Sequence, residues 1–174
     1  MDILPTLKKG RLVALYAPGA RESMGLIAEL ALRGPLTIFD GGNRYRPYLV
    51  ANLLRRKTVD IVTAANRLFS RRAFTCYELH TLLASAQGLP YPLVILDILN
   101  TFYDDHVTDR EVCRLLNSCL GEIQRLVISA PVIVTLTPPL VAERAFLLEQ
   151  VCAKADEIFV QEVPASQPLQ PALF

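Results

Sequence analysis

The chain alternates short apolar runs with longer amphipathic segments along most of its length. The runs lack the period-two pattern of strands with one wet face, as expected when helices cover both faces of a sheet. Six runs predict strands, at 12–16, 36–39, 61–65, 93–98, 132–136 and 157–162. Five segments predict helices, near 23–33, 47–57, 75–87, 109–128 and 140–154. We expect an α/β fold with a mostly parallel, doubly wound sheet of about six strands and helices on both faces.

The composition is typical of one domain with a short appendage. Of the 174 residues 52% are apolar, enough for a sizeable core. We expect one domain over residues 1–163 and a flexible tail over 164–174, which is rich in Pro, Gln and Ala. The four cysteines show no metal-ligand spacing and indicate reduced thiols. With no leader pattern and no apolar run of about 18 residues, we expect a cytoplasmic protein without a membrane partner.

The loop after the first predicted strand occupies the place of a phosphate-binding loop. Such a loop needs glycines, then a lysine and a hydroxyl residue that open the helix. Here Ser23 stands at the lysine position and Met24 at the hydroxyl position, and Glu22 adds negative charge unless Arg21 compensates for it. The segment is interpreted either as an ordinary strand–helix turn or as a degenerate phosphate loop, made of Gly19, Ala20, Arg21, Glu22, Ser23 and Met24.

Asp97 follows the apolar run 93–96. An acid at the end of a buried strand is the Walker B arrangement, which holds magnesium in ATPases of this architecture. The alternative is a structural aspartate that caps the next loop. Asp97 is therefore a Walker B-like candidate.

Four segments, in this order, resemble the RecA/RadA recombinase superfamily, in particular its archaeal and eukaryotic-type branch. They are Phe39–Pro47, Arg72–Leu79, Leu96–Tyr103 and Val132–Thr137. The first resembles the family's second core strand with the turn that follows it, and the second resembles its Arg-Ala-aromatic segment. The third resembles its Walker B strand with the residues that follow, and the fourth resembles its next core strand. The resemblance spans about residues 11–137. It implies a RecA-like P-loop fold, a link to DNA repair, mutagenesis or recombination, and self-assembly or hetero-assembly.

The chain departs from that family where catalysis would occur. Gly42 stands at the position of the glutamate that activates water, and Leu136-Thr137 replace the Asn-Gln pair that senses the γ-phosphate. With the lysine and hydroxyl also absent, the sequence predicts a non-catalytic accessory or scaffold protein that needs no cofactor. The alternative is an atypical ATPase that binds ATP and magnesium and uses Arg21 in place of the lysine.

The positive charge is concentrated in the first part of the chain: 13 of the 18 Lys and Arg residues, but only 5 of the 17 Asp and Glu residues, lie in residues 1–75. Because loops that leave the carboxyl ends of parallel strands share one edge, six arginines are expected to gather there. They are candidates for binding DNA or another polyanion: Arg21, Arg44, Arg46, Arg67, Arg71 and Arg72. The alternative is that they form salt bridges with Asp97, Asp104 and Asp105.

The last five residues, Gln170-Pro171-Ala172-Leu173-Phe174, resemble the peptide by which bacterial repair and replication proteins bind the polymerase sliding clamp. Leu173 and Phe174 would fill an apolar pocket, and Gln170 would make polar contacts. This resemblance implies a sliding clamp as protein partner. The alternative is that the two apolar residues pack on the surface of their own domain.

Overall fold

The computed structural model describes residues 3–86, 88–139 and 142–160. In this part of the chain six strands form one parallel sheet: β1 (Leu12–Tyr16), β2 (Leu36–Asp40), β3 (Leu68–Arg72), β4 (Leu93–Leu96), β5 (Val132–Leu136) and β6 (Glu157–Val160). Their order is β3-β2-β4-β5-β1-β6, so β3 and β6 are the edges of this sheet. The predicted parallel α/β fold is confirmed.

Six α-helices connect the strands within the described residues: α1 (Ala20–Arg33), α2 (Pro47–Arg55), α3 (Ile61–Asn66), α4 (Cys76–Ser85), α5 (Asp109–Val127) and α6 (Ala145–Cys152). Residues of α1, α2 and α3 pack with β1 and β2 on one face of the sheet. Residues of α4, α5 and α6 form the core on the other face. No helix in the described ranges is both long and apolar enough to cross a membrane.

The third strand differs from its prediction. Residues 61–65 form α3, which Asp60 begins by accepting a hydrogen bond from the N–H of Thr63 at 3.1 Å. Hydrogen bonding to Thr63 lowers the pKa of Asp60. The strand lies instead at Leu68–Arg72, where most side chains are exposed. An edge strand with little covering does not need an apolar run, so the hydrophobic pattern pointed to the wrong segment.

The other differences are in element ends. Helix α1 begins at Ala20, three residues before its predicted start, and β4 ends at Leu96 rather than at residue 98. The predicted start of the last helix at residue 140 and the predicted end of the last strand at 162 lie outside the described residues.

Candidate functional site

The loops after β1, β2 and β5 surround a cleft of about 190 Å³ at the carboxyl edge of the sheet. This is the edge where open α/β sheets bind their ligands. The cleft is lined by Ala17, Pro18, Ala20, Ser23, Met24, Arg44, Arg46, Thr135 and Thr137. Residues of the predicted phosphate loop therefore lie at one site with two of the six arginines.

Helix α1 begins with a carboxylate that folds back on its own loop. The N–H of Gly19, the N-cap residue, donates to Oε2 of Glu22 at 3.1 Å. Glycine has no side chain, so only this half of a capping box forms. The negative charge that a helix N-terminus attracts is thus supplied by the chain itself.

The two positions that would contact phosphate and magnesium have other contacts. The hydroxyl of Ser23 donates to the carbonyl of Gly19 at 3.2 Å. Met24 is fully buried in the core, and its Sδ accepts a hydrogen bond from the N–H of Arg46 at 3.3 Å. Met24 therefore links α1 to the β2–α2 loop instead of presenting a polar group to the cleft.

Asp97 is held by the loop on the neighbouring strand. Its side chain is 1% exposed, its N–H donates to Oγ1 of Thr135 at 2.7 Å, and its Oδ2 accepts from Nε of Arg44 at 3.0 Å. Its Oδ1 has no hydrogen-bond partner among the described residues. A buried carboxylate of this kind depends on its single cation, because removal of one partner leaves an uncompensated charge.

Gly42 packs directly against this aspartate. A Cβ atom at Gly42 would lie 2.4 Å from Cβ of Asp97 and 2.6 Å from its Oδ2. A Cβ atom at Gly41 would meet the backbone oxygen of Asp97 at 3.2 Å. The position of the missing glutamate therefore has no room for any side chain while Asp97 and Arg44 keep this arrangement.

Three non-glycine residues in the described ranges have left-handed backbone, and all lie at this edge. They are Ala17 (φ 51°), Asn43 (φ 54°) and Asp97 (φ 52°). Asparagine and aspartate tolerate this conformation, whereas alanine adopts it at a cost. Ala17 stands at the first glycine position of the phosphate-loop pattern, and its backbone has the conformation that favours glycine.

A second carboxylate, Asp40, organises the β2–α2 loop. Its Oδ1 accepts from the N–H of Arg44 at 2.8 Å and its Oδ2 accepts from the N–H of Tyr45 at 3.1 Å. Nε of Arg72 lies 3.4 Å from the same Oδ2. Arg44 and Arg72 thus neutralise two buried carboxylates, as the salt-bridge alternative expected for Asp97.

The prediction that Arg67 lies at the carboxyl edge is wrong. Arg67 precedes β3, and its guanidinium donates to the carbonyls of Ala31 and Leu32 in the last turn of α1, each at 3.1 Å. It is therefore at the opposite edge, where a cation satisfies the carbonyls that end a helix. The error follows from the displaced third strand.

Arg21, Arg46 and Arg71 remain at the carboxyl edge as exposed residues. No ion pair among the described residues involves their guanidinium groups. Asp104, an expected partner, instead bonds to His106, and this hydrogen bonding lowers the pKa of Asp104. Three of the six candidate arginines are therefore available to an external anion.

Exposed aromatic side chains lie near these arginines, and no prediction from the sequence included these aromatic residues. Phe74 is 73% exposed, and the guanidinium carbon of Arg72 lies 6.0 Å from the centroid of its ring. Phe74, Tyr45 and Arg71 line a second cleft of about 280 Å³ at this edge. Tyr48, in the first turn of α2, is 88% exposed. Aromatic residues close to Arg46 and Arg72 in the sequence were the available signal.

A buried arginine shapes the loop after β4. Arg144 is 6% exposed and donates to the carbonyls of Phe102, Asp104 and Val107 at 2.6–2.7 Å. Nothing in the sequence distinguished it from other helix-flanking arginines. Its role is to hold the residues that follow Asp97, and it makes no contribution to the exposed charge.

A scan against protein-family models finds no match to this chain, and a search of curated proteins finds no significant one. Within the described residues no group of three or more His, Cys, Asp or Glu side chains could hold a metal ion. The predicted tail over 164–174 and the clamp-docking residues Gln170, Leu173 and Phe174 lie outside the described residues.

Proposed function

We propose that this protein is a non-catalytic RecA-like accessory or scaffold protein in DNA repair, mutagenesis or recombination. The observation that carries the proposal is the Arg44–Asp97 ion pair packed on Gly42. In an active ATPase of this type an acid holds magnesium and a second residue positions the attacking water. Here the guanidinium of Arg44 forms an ion pair with Asp97, and Asp97 fills the space that a side chain at residue 42 would need.

The start of α1 supports the same conclusion. A bound phosphate would compete with Glu22 for the N–H of Gly19 and would be repelled by its charge. Met24 supplies no oxygen for a hydrated cation and is buried. The phosphate, magnesium and water positions are thus each used by side chains of the chain itself.

The second candidate, an atypical ATPase, would depend on Arg21, which is exposed in the first turn of α1. A planar guanidinium is a poor substitute for the compact, flexible charge of a P-loop lysine. The test is release of phosphate from ATP with magnesium and single-stranded DNA present. We expect release equal to that of buffer; a steady rate that Asp97→Ala abolishes would establish the ATPase.

Contact with DNA is the positive part of the proposal. Arg46 and Arg71 carry exposed charge, and Phe74 and Tyr48 expose aromatic rings at the same edge. A basic surface with aromatic platforms is how proteins bind single strands without reading sequence, because phosphates meet the charge and bases stack on the rings. Glu78 lies beside Phe74 and opposes this charge, but its carboxylate is used by the N–H groups of Phe74 and Thr75.

Fluorescence anisotropy with a labelled single-stranded oligonucleotide tests this surface. We expect binding at low salt, and the double variant Arg46→Glu/Arg71→Glu should weaken it strongly. The slope of log affinity against log salt concentration should become shallower by roughly 0.7 for each phosphate that the variant no longer neutralises. The matched control, Arg55→Glu/Arg56→Glu, makes the same charge change at the far end of α2. Equal weakening in both variants, or no binding at low salt, would remove DNA from the proposal.

The sliding clamp is the proposed protein partner, and its support is the resemblance of Gln170–Phe174 to clamp-binding peptides. We expect the intact chain to bind a bacterial sliding clamp with a dissociation constant of roughly micromolar. Deletion of residues 170–174 should abolish this association. The melting temperature should fall by a few degrees at most, the cost of losing one surface contact of about 1 kcal/mol. Association that survives the deletion would show that the peptide is not the docking element.

A further inference from the structure

A third depression, a groove of about 240 Å³, is lined by residues of α1, β1 and β6. Its lining is mostly apolar and includes Leu4, Leu15, Tyr16, Leu26 and Phe159. Of its three charged residues, Glu29 and Lys57 form an ion pair with each other, and Glu22 accepts a hydrogen bond from the N–H of Gly19. An occupant therefore needs apolar side chains rather than charge.

Gly25 makes this groove deep. It lies inside α1, where glycine is less favourable than alanine, and it lines the groove. A Cβ atom at Gly25 would meet no atom within 4 Å. The helix backbone is thus open to a side chain that comes from another part of the chain or from a partner.

We propose that this groove binds the chain's own residues 161–174, with Leu173 and Phe174 as its apolar anchors. The described chain stops at Val160, which pairs with Tyr16, a residue of the groove. The groove follows α1 from Glu22 to Glu29, about 10 Å at the helical rise. Fourteen residues extend up to about 46 Å, so the segment reaches every part of it.

The composition of the segment fits the groove. Glu162 is its only Asp, Glu, Lys or Arg residue, so the side chains of the other thirteen residues can be buried without burying a charged side chain. Three prolines lack the N–H group of a regular strand and disfavour simple extension of the sheet beyond β6. Burial of side chains is then the main contact that remains, and the apolar candidates are Val163, Leu169, Leu173 and Phe174.

This contact goes beyond the proposed function and does not depend on it. If a sliding clamp binds the same anchors, the groove competes with the clamp, and docking requires release of the segment. If the clamp does not bind, the contact within the chain stands or falls by its own test.

Photo-crosslinking in the full chain provides that test. With p-benzoylphenylalanine in place of Phe174, we expect cross-links within one molecule to Glu22–Glu29 of α1 or to Leu4. In the same chain Gly25→Leu fills the groove and should lower their yield by about tenfold, because burial of one leucine-sized side chain changes a binding constant by at least that factor. Gly25→Ala should lower the yield less.

The matched control is Gly121→Leu, which adds the same side chain to α5 at an exposed position that also has open space. It should leave the cross-links unchanged. Gly121→Leu should melt no lower than the parent, since it removes a glycine from a helix. The proposal is overturned by an equal yield in Gly25→Leu, by cross-links spread over the surface, or by cross-links to a second copy that increase with concentration.

Discussion

Helices α1 and α4 both begin with a glutamate whose carboxylate accepts from backbone N–H at the helix start, but only α4 also has a hydroxyl cap. At α4 the hydroxyl of Thr75 accepts from the N–H of Glu78 at 3.2 Å, and the Glu78 carboxylate accepts from the N–H groups of Thr75 and Phe74. At α1 the carboxylate of Glu22 makes the equivalent return contact to Gly19, but glycine offers no hydroxyl. The start of α4 therefore has both halves of a capping box, whereas that of α1 has only the carboxylate half.

The start of α1 has features of both a phosphate loop and an ordinary helix start. A glycine N-cap with extended backbone leaves the start of α1 open to the cleft, as a phosphate loop requires. The carboxylate of Glu22, three residues along the chain, contacts this open N-terminus at the spacing that an ordinary helix uses. The segment thus combines the open backbone that a phosphate loop needs with the carboxylate contact of a helix start.

The largest expected effect comes from restoring a side chain at Gly42. Gly42→Glu should lower the free energy of unfolding by about 3 kcal/mol, because its Cβ would overlap Asp97 and the buried ion pair would have to move. Urea unfolding measures this. If the variant does not fold, Gly42→Ala carries the same overlap with a smaller group.

The control for that variant is Gly121→Glu, where a Cβ atom meets no neighbour within 4 Å. It should change the free energy of unfolding by less than about 0.5 kcal/mol, as is usual at surface sites. Wild-type stability in Gly42→Glu would mean that the edge has room for a catalytic glutamate. It would disprove the claim that Asp97 fills the space at residue 42.

Most of the fold was predictable because buried parallel strands must be apolar on both faces. The exception, β3, is an edge strand that carries Ser70, Arg71 and Arg72, so its sequence resembles a loop. That one displacement also caused the wrong placement of Arg67. The start of a helix could be predicted where a side chain caps it, as Thr75 does for α4.

The site was only partly predictable. The gathering of Arg44 and Arg46 follows from strand direction alone, and a salt bridge to Asp97 was one of two alternatives left open. Deciding between them required the strand order, since β2 and β4 are neighbours in the sheet although β3 separates them along the chain. The close packing of Gly42 on Asp97 depends on distances that no pattern encodes.

The smallest effects test the two helix starts directly. Glu78→Gln and Glu22→Gln should each lower the free energy of unfolding by about 0.5 kcal/mol, because each carboxylate accepts from backbone N–H at the start of its helix. Thermal unfolding at low salt measures both changes, which should shrink as salt screens the charges. An increase in stability on removing the charge of Glu22 would show that this carboxylate does not serve as a cap.

If the chain's own side chains occupy the place where a nucleotide would bind, as proposed, Mg-ATP should not bind, and thermal unfolding with increasing Mg-ATP tests this most directly. A ligand that binds the native state raises the melting temperature in proportion to the logarithm of its concentration once it exceeds the dissociation constant. With adenosine at matched ionic strength as the control, the account predicts the same melting temperature at every Mg-ATP concentration. A concentration-dependent rise with Mg-ATP that adenosine does not produce would contradict it.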